Sequence, residues 1–100
     1  MLALSVGKGL YAYMNSKQKV LAAIFKDPVS GTIPWSDIEG LLVAAGCERK
    51  QKKQRTGGSR VKFVKDGMVA SFHRPHPQKE AKKYQVEDAR AYLTRLGIEP

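Results

Sequence analysis

The sequence predicts an α+β fold, a small three-stranded antiparallel sheet with helices packed on one face. Three observations support this. Two amphipathic segments come first, a hairpin of alternating apolar and polar residues follows, and a third amphipathic segment lies near the end. With 100 residues, 42% of them hydrophobic, the chain has the size of one domain with one modest core. A large active site between two lobes is therefore not expected.

The first two helices are predicted from apolar spacing and from signals at their ends. Residues 17–26 follow Ser16, a candidate N-cap, and place their apolar side chains on one face. In the second helix, Ser36 and Glu39 have the spacing of a capping box, in which each side chain binds a free backbone amide at the helix start. Gly46 is the expected left-handed stop of that helix.

A β-hairpin is predicted in the second half of the chain, after a weaker strand within residues 47–55. Residues 59–65 alternate as a strand, Asp66-Gly67 is a two-residue hairpin signal, and residues 68–73 return antiparallel. Such a turn fixes the pairing register. The predicted pairs are Arg60 with His73, Val61 with Phe72, Lys62 with Ser71, Phe63 with Ala70, Val64 with Val69, and Lys65 with Met68.

This register gives the predicted sheet two unlike faces. The core face carries apolar side chains, namely Val61, Phe63, Ala70 and Phe72. An antiparallel sheet with helices on one side leaves its other side to solvent, which we call the open face. The open face carries Arg60, Lys62, Ser71 and His73, flanked by Val64 and Val69.

The last part of the chain is predicted as a basic loop and a helix. Two prolines within residues 74–83 prevent that segment from continuing a central strand. A helix from about residue 85 to residue 96 follows, with Glu87 and Asp88 in its first turn and Gly97 at its stop. We expect one domain over residues 16–100, preceded by an N-terminal extension over residues 1–15 whose composition allows disorder.

Positive charge is concentrated in one segment. The chain has a formal net charge of +9. Residues 49–83 contain twelve basic residues and two acidic ones, so the remainder is almost neutral. A near-neutral chain with one basic segment is typical of proteins that bind polyanions, although a short charge run can also be a solvated loop.

Cysteine content and hydropathy predict a cytoplasmic protein without a cofactor. Cys47 is the only cysteine, which excludes an intrachain disulfide and fits a reducing cytosol. Ligands at zinc-finger spacing and the usual nucleotide-binding glycine motifs are absent, so no metal or small-molecule cofactor is expected. The opening residues 1–14 lack a basic leader and no apolar run has membrane-spanning length, so neither export nor membrane insertion is expected.

Several short motifs occur in an order that resembles the HicA family of bacterial toxins. Gly58-Ser59 opens a strand, Pro75-His76-Pro77 follows the hairpin with lysines after it, and the final helix ends in Leu-Gly-Ile at residues 96–98. The resemblance covers residues 35–98. It implies a fold like a double-stranded-RNA-binding domain, cleavage of messenger RNA, and neutralisation by a HicB-like antitoxin.

The chain departs from the family at one position. Members of the family usually have Gly-Ser-His at this strand start, and RNA cleavage is attributed to that histidine. Here the triplet is Gly58-Ser59-Arg60. An arginine stays protonated, so it can bind a phosphate but cannot act as the general base for a ribose hydroxyl. The active site implied by the resemblance is therefore altered.

Three residues are candidates for catalysis: His73, Arg60 and His76. We hypothesise that His73 is the base, because a cationic neighbour favours the neutral imidazole, while Arg60 and Lys62 hold the scissile phosphate. His73 packing at a strand end is the alternative. His76 lies between two prolines and is placed to stack on a base or contact a phosphate, or else to bond a turn carbonyl.

The function predicted is that of a toxin-like, metal-independent messenger RNA endoribonuclease of a type II toxin–antitoxin system. The alternative is a non-catalytic module of the same fold that binds RNA or the antitoxin. DNA binding is disfavoured because no helix pair resembles a helix-turn-helix. The predicted RNA contacts are Ser59, Lys62, Arg74, Lys79, Lys82, Lys83, Lys53 and Arg55.

Overall fold

The order of elements confirms the predicted α+β class. The computed structural model describes residues 16–50 and 60–100. Its three strands form one antiparallel sheet in the order β1-β2-β3. The elements are α1 (Ser16–Ile24), α2 (Trp35–Ala44), β1 (Glu48–Lys50), β2 (Arg60–Lys65), β3 (Met68–His73) and α3 (Lys83–Arg95).

The β2–β3 hairpin has the register that its turn residues predict. Arg60 pairs with His73 and Lys65 with Met68, and the four pairs between them also agree with the prediction. Asp66 and Gly67 both have positive φ, 53° and 76°. Positive φ at both central residues is the geometry of the two-residue turn that matches the twist of the flanking strands. The turn therefore sets which side chains share each face.

The core lies between the sheet and the helices. Val61, Phe63 and Phe72 point into it from the sheet and are buried, as predicted. Ala70 is only partly buried at the edge of the same cluster. From the other side, the helices contribute buried apolar side chains, which include Leu21, Ile24, Trp35, Ile38, Leu41, Leu42, Val86, Ala89, Tyr92 and Leu93.

The predicted capping box at the start of α2 is wrong. The helix begins at Trp35, after Pro34, and has no side-chain cap. Instead, the segment before α2 pairs with the loop before α3: the Trp35 amide donates to the Lys79 carbonyl oxygen, and the Ala81 amide donates to the Ile33 carbonyl oxygen, both at 2.8 Å. This pairing holds the backbone at the start of α2, so Glu39 does not cap the helix and its side chain can bind other residues.

The start of α3 also differs from the prediction. The helix begins at Lys83, so Glu87 and Asp88 lie beyond its first turn, which carries no acidic residue. The earlier start brings Gln85 inside the helix, where its side chain is buried. The predicted left-handed stops are confirmed, with φ of 101° at Gly46 and 80° at Gly97.

Helix α1 is attached to the rest of the domain through α2 and α3. It ends at Ile24, two residues before the predicted end. Arg90 of α3 donates to the carbonyl oxygens of Ile24 at 3.0 Å and Lys26 at 2.8 Å. A cation at a helix C-terminus binds carbonyls that have no partner within the helix, and this gives α1 a defined end. The guanidinium also lies 5.8 Å from the centre of the Phe25 ring.

Candidate nucleic-acid interface

The open face has a basic half at the end of the sheet distant from the hairpin turn. Arg60 and His73 are directly opposite each other and both are exposed. In the next row, β1 adds Lys50 opposite Lys62, and Lys62 is opposite Ser71. Directly opposite residues in antiparallel strands project from the same face. Three cations therefore lie beside one imidazole on this surface.

The strand pairing of Lys50 was not predicted from the sequence. The polar segment that contains it gave no usable periodicity, so its partner on β2 was not defined. The β1–β2 register now assigns it to the row of Lys62. The same register places Arg49 opposite Phe63, on the core side of the sheet.

The half of the open face near the turn has a different character. Glu48, Val64 and Val69 form one row across the three strands. Val69 is 47% exposed, and Val64 is partly buried. An anionic ligand is therefore attracted to one half of the face only.

The two candidate catalytic side chains of the strands are in contact. Arg60 Nη2 lies 3.3 Å from His73 Nε2. A guanidinium only donates hydrogen bonds, so Nε2 must be the acceptor. Such a hydrogen bond requires the His73 tautomer that carries its proton on Nδ1. The predicted neighbourhood of Arg60 and His73 is thus observed, while the catalytic role of either residue stays a prediction.

Arg74, which we predicted to contact RNA, is bound to a buried carboxylate. Its Nε donates to Glu39 Oε2 at 2.6 Å and its Nη2 to Glu39 Oε1 at 3.2 Å. Trp35 Nε1 and Arg49 Nη1 also donate to Glu39. The Arg74 side chain is 26% exposed. Its guanidinium therefore anchors the end of β3 to α2, and any RNA contact by Arg74 would use the part that remains accessible.

The pKa values of this pair reflect the contact. Burial by itself raises the pKa of Glu39, but the hydrogen bonds from Arg74 and Trp35, with the charge of Arg74, outweigh it and lower the pKa below its ordinary value. The hydrogen bond to Glu39 raises the pKa of Arg74. Both groups are charged at neutral pH, which satisfies a carboxylate that would be costly to bury alone.

Gln85 connects the end of β3 to the start of α3. Its Nε2 donates to the His73 carbonyl oxygen at 2.6 Å, and its Oε1 accepts from the Lys82 amide at 2.9 Å. The residue is 2% exposed. A buried side chain with both polar ends bonded holds its partners at fixed positions. Gln85 was not singled out from the sequence, because nothing local distinguishes it from an exposed helical glutamine.

The remaining predicted contacts divide into two groups. His76, Lys79, Lys82 and Lys83 are exposed on the loop after β3 and at the start of α3. Through Gln85, the Lys82 backbone lies one side chain away from His73. No hydrogen bond of the described residues joins His76 to the Arg60–His73 pair. The predicted contacts Lys53, Arg55 and Ser59 lie outside the described residues.

Comparison with known families adds the observation that decides the classification. The family model described as the HicA toxin of bacterial toxin–antitoxin matches residues 35–98, which is more than half of the chain. The chain belongs to the HicA toxin family. Neither the curated proteins nor the solved structures contain a match to this chain.

The described fold extends beyond the residues that the HicA family model matches. The match begins at α2 and includes the sheet and α3. It confirms the resemblance stated from the sequence, over the same residues. Helix α1 precedes the matched region although its residues Leu21 and Ile24 are fully buried in the common core.

The described part of this HicA protein contains neither a cluster of metal-ligand side chains nor a membrane-spanning helix. Within residues 16–50 and 60–100, no three His, Cys, Asp or Glu side chains converge as metal ligands would. No helix in the same part of the chain combines the length and the apolar composition needed to cross a bilayer.

Proposed function

We propose that this member of the HicA family is a toxin that binds RNA on the basic half of its open face and cleaves it without a metal ion. The observation that carries the proposal is the contact of Arg60 Nη2 with His73 Nε2 on an exposed face that also bears Lys50 and Lys62. A neutral imidazole beside cations is the combination needed for proton transfer next to a bound phosphate.

In the first step of the proposed reaction, Arg60 exchanges its hydrogen bond with His73 for hydrogen bonds with a phosphate. The charged oxygens of an RNA phosphate accept hydrogen bonds from the Arg60 guanidinium more strongly than an imidazole nitrogen does. When Arg60 turns to the phosphate, the lone pair of His73 Nε2 is released. Arg60 is exposed, so the movement of its side chain breaks no buried contact.

The second step is attack by the adjacent ribose hydroxyl. His73 Nε2 takes the proton of the 2′ hydroxyl, the 2′ oxygen forms a bond to phosphorus, and the bond from phosphorus to the 5′ oxygen breaks. The leaving 5′ oxygen takes a proton from water and His73 returns its proton to the solvent, so the products are a 2′,3′-cyclic phosphate and a 5′ hydroxyl. Arg60 and Lys62 stabilise the negative charge that develops on the phosphate oxygens.

Arg60 stands at the family's histidine position but has a different role from the family's histidine. A guanidinium stays protonated and cannot take the ribose proton. It is suited to binding phosphate through two parallel N–H groups. The proton-accepting role then passes across the hairpin to His73, which occupies the opposite position on β3.

The loop after β3 extends this interface. His76 and the lysines at 79, 82 and 83 are exposed, and they would contact phosphates or bases outside the cleavage point. Gln85 supports this arrangement because it ties His73 and Lys82 together. Such contacts contribute affinity rather than chemistry.

The partner proposed for this toxin is a HicB-like antitoxin, and the proposed location is the cytoplasm. The family assignment supports a toxin–antitoxin system. An antitoxin that covers the basic half of the open face would block RNA there by occupying the same cations.

One observation favours the alternative, a non-catalytic module that binds RNA or the antitoxin. His73 Nε2 is already in contact with Arg60, and Arg60 is the residue that stands at the family's histidine position. If Arg60 retained this contact in the complex, the face would bind a phosphate chain without a free base. The two functions differ in whether bound RNA is cut.

The decisive experiment is cleavage of an end-labelled transcript by the purified protein in excess EDTA, with binding measured in parallel. We expect cleavage by the wild type, loss of cleavage with retained binding for His73→Ala, and little change for Ser71→Ala, a control on the same strand and face. Uncut but bound RNA would establish the non-catalytic alternative. Arg60→His tests the family position: if His73 is the base, this variant loses the phosphate-binding guanidinium and should cleave RNA more slowly than the wild type.

A cellular assay tests the toxin assignment separately. Expression of the wild type should arrest growth, and co-expression of a HicB-like protein encoded beside it should restore growth. His73→Ala should no longer arrest growth at equal protein level. Normal growth with the wild type at high expression would contradict the proposed toxicity.

A further inference from the structure

The two edges of the sheet are protected to different degrees. Strand β1 has three residues, Glu48–Lys50, all of them charged and exposed. Strand β3 has six residues, Met68–His73, and carries no acidic residue, lysine or proline. Natural proteins protect free edges with short strands and charged side chains. Only the β1 edge has this protection, which marks the β3 edge as a place where another strand can pair.

Among the described residues, β2 is the only strand beside β3. A groove of about 230 Å³ runs along the free side of β3, between this strand and α3. Val69, Ala70 and Phe72 contribute apolar atoms from the strand, and Ala91 is the small residue that faces them from the helix. Tyr92 of α3 also lines the groove, and the space that remains beside β3 leaves the edge accessible to a second backbone.

The charges on α3 along the groove are opposite in sign at its two ends. Asp88 and Arg95 both line it and are seven residues apart, so two helical turns separate them on one side of the helix, with Ala91 between them. Helix α3 also runs antiparallel to β3: Gln85 reaches the His73 carbonyl, whereas Tyr92 reaches the Met68 carbonyl.

A two-fold axis reverses the direction of β3 and the direction of α3 together. If β3 pairs antiparallel with β3 of a second copy, the two α3 helices also lie antiparallel beneath the joined sheet. The Asp88 end of each helix is then directed toward the Arg95 end of the other. A surface that carries opposite charges at its two ends and small residues at its centre is complementary to itself under this symmetry.

We propose that the β3 edge and the groove beside it form the interface of a symmetric dimer, and that the occupant of this surface is a second copy of this chain. The two sheets then join into one of six strands. The pairing is antiparallel β3 to β3, with Asp88 of each protomer near Arg95 of its partner. This inference does not depend on RNA cleavage.

The proposed dimer has a geometric consequence for the open faces. Joining the β3 edges makes the two open faces continuous, with one Arg60–His73 pair from each copy. Because open-face residues of β3 pair with open-face residues of the other β3, the two His73 positions lie four or six residues apart, which at about 3.3 Å per residue is roughly 13 or 20 Å along the strands. Neither pair is covered by the interface.

The experiment is a measurement of self-association by sedimentation velocity on the full chain, with circular dichroism to verify folding. We expect the wild type to form dimers below about 1 mM. Asp88→Arg and Arg95→Asp should each weaken the dimer at least about tenfold, because like charges then face each other. The double variant D88R/R95D restores opposite charges and should return to within about threefold of the wild type.

The matched control is Glu87→Arg, the same change of charge at an exposed neighbour on α3 that does not line the groove. It should leave dimerisation unchanged. A wild type that stays monomeric up to about 1 mM would overturn the proposal. So would equal weakening by the control, or a double variant that is weaker than either single one. If a monomeric wild type bound an antitoxin and D88R abolished that binding, the groove would belong to the antitoxin and not to a second copy.

Discussion

The side chain of Gln85 donates to the main-chain carbonyl of His73 at 2.6 Å, so a buried residue of α3 fixes the end of the strand that carries the candidate base. The other end of the same amide holds the backbone of Lys82. One side chain thus joins the end of β3 to the start of α3.

Gln85→Leu removes both hydrogen bonds while keeping a side chain of similar size. The His73 carbonyl and the Lys82 amide lose their partner, so we expect the free energy of unfolding to fall by about 2 kcal/mol. Urea denaturation followed by circular dichroism measures it. Glu87→Leu, an exposed position on the same helix, should change stability by less than about 0.5 kcal/mol. Equal effects of the two variants would show that the Gln85 hydrogen bonds do not stabilise the fold.

Glu39 should make the fold sensitive to acid. Its pKa in the folded state is lowered, so its contribution to stability is present above the ordinary value of 4.5 and is lost as pH falls through the folded value. We expect the wild-type stability to decline below about pH 4.5, and Glu39→Gln to be less stable at pH 7 by about 2 kcal/mol. The difference between the two proteins should shrink as the pH is lowered. Asp37→Asn, an exposed carboxylate on α2, is the control, and a constant difference from pH 7 to pH 3 would contradict the prediction.

Tyr92 should produce the opposite dependence in alkali. Its hydroxyl donates to the carbonyl oxygens of Phe63 and Met68, and burial is the largest cause of a pKa raised to about 12. A raised pKa of a neutral acid stabilises the fold below the unfolded value of 10, and this contribution is lost as pH rises toward 12. Tyr92→Phe should cost about 1 kcal/mol at pH 7, and the loss should be smaller near pH 12.

The ionisation of Tyr92 can be followed separately by absorbance at the tyrosinate band. The titration of the wild type minus that of Tyr92→Phe isolates one phenol. Its midpoint is expected near 12. A midpoint near the ordinary value of 10 would show that the hydroxyl is exposed to solvent and not bonded between the two strands.

RNA affinity should depend on salt through the cations of the open face and of the following loop. If about five phosphates are neutralised, log K against log salt should have a slope near −3.5 for single-stranded RNA, or about −4.5 for a duplex. Lys62→Gln and Lys50→Gln should each reduce the slope by about 0.7 for single strands. Lys26→Gln, a change at an exposed residue that follows α1 and is not part of the sheet, is the control and should leave the slope unchanged. An affinity that does not vary with salt would exclude the proposed interface.

The sequence predicted the features that depend on neighbouring residues. Asp66-Gly67 selects one turn, and that turn places Arg60 opposite His73 without any other information. The structure agrees with this register at every pair. The boundaries of α1 and α3 were less accurate, because Arg90 and Gln85 determine the helix ends through contacts that are distant in the chain.

The Glu39 cluster shows why the rest was not predictable. The spacing of Ser36 and Glu39 fits a local capping box, which would have kept Glu39 at the helix surface. Its actual partners include Arg49 and Arg74, 10 and 35 residues further along the chain. Local patterns cannot choose between a nearby amide and a distant guanidinium. As a result, Arg74 was predicted to contact RNA before its buried partner was known.

The position of α1 has a practical consequence for work on fragments of this protein. Leu21 and Ile24 are fully buried, yet they lie before residue 35, where the family match begins. A fragment trimmed to residues 35–98 would lose these two side chains and expose the apolar surfaces of α2 and α3 that they cover. Arg90 would lose the two carbonyl groups that it binds. Such a fragment is expected to aggregate when expressed, whereas one that begins before Ser16 keeps Leu21 and Ile24 in place.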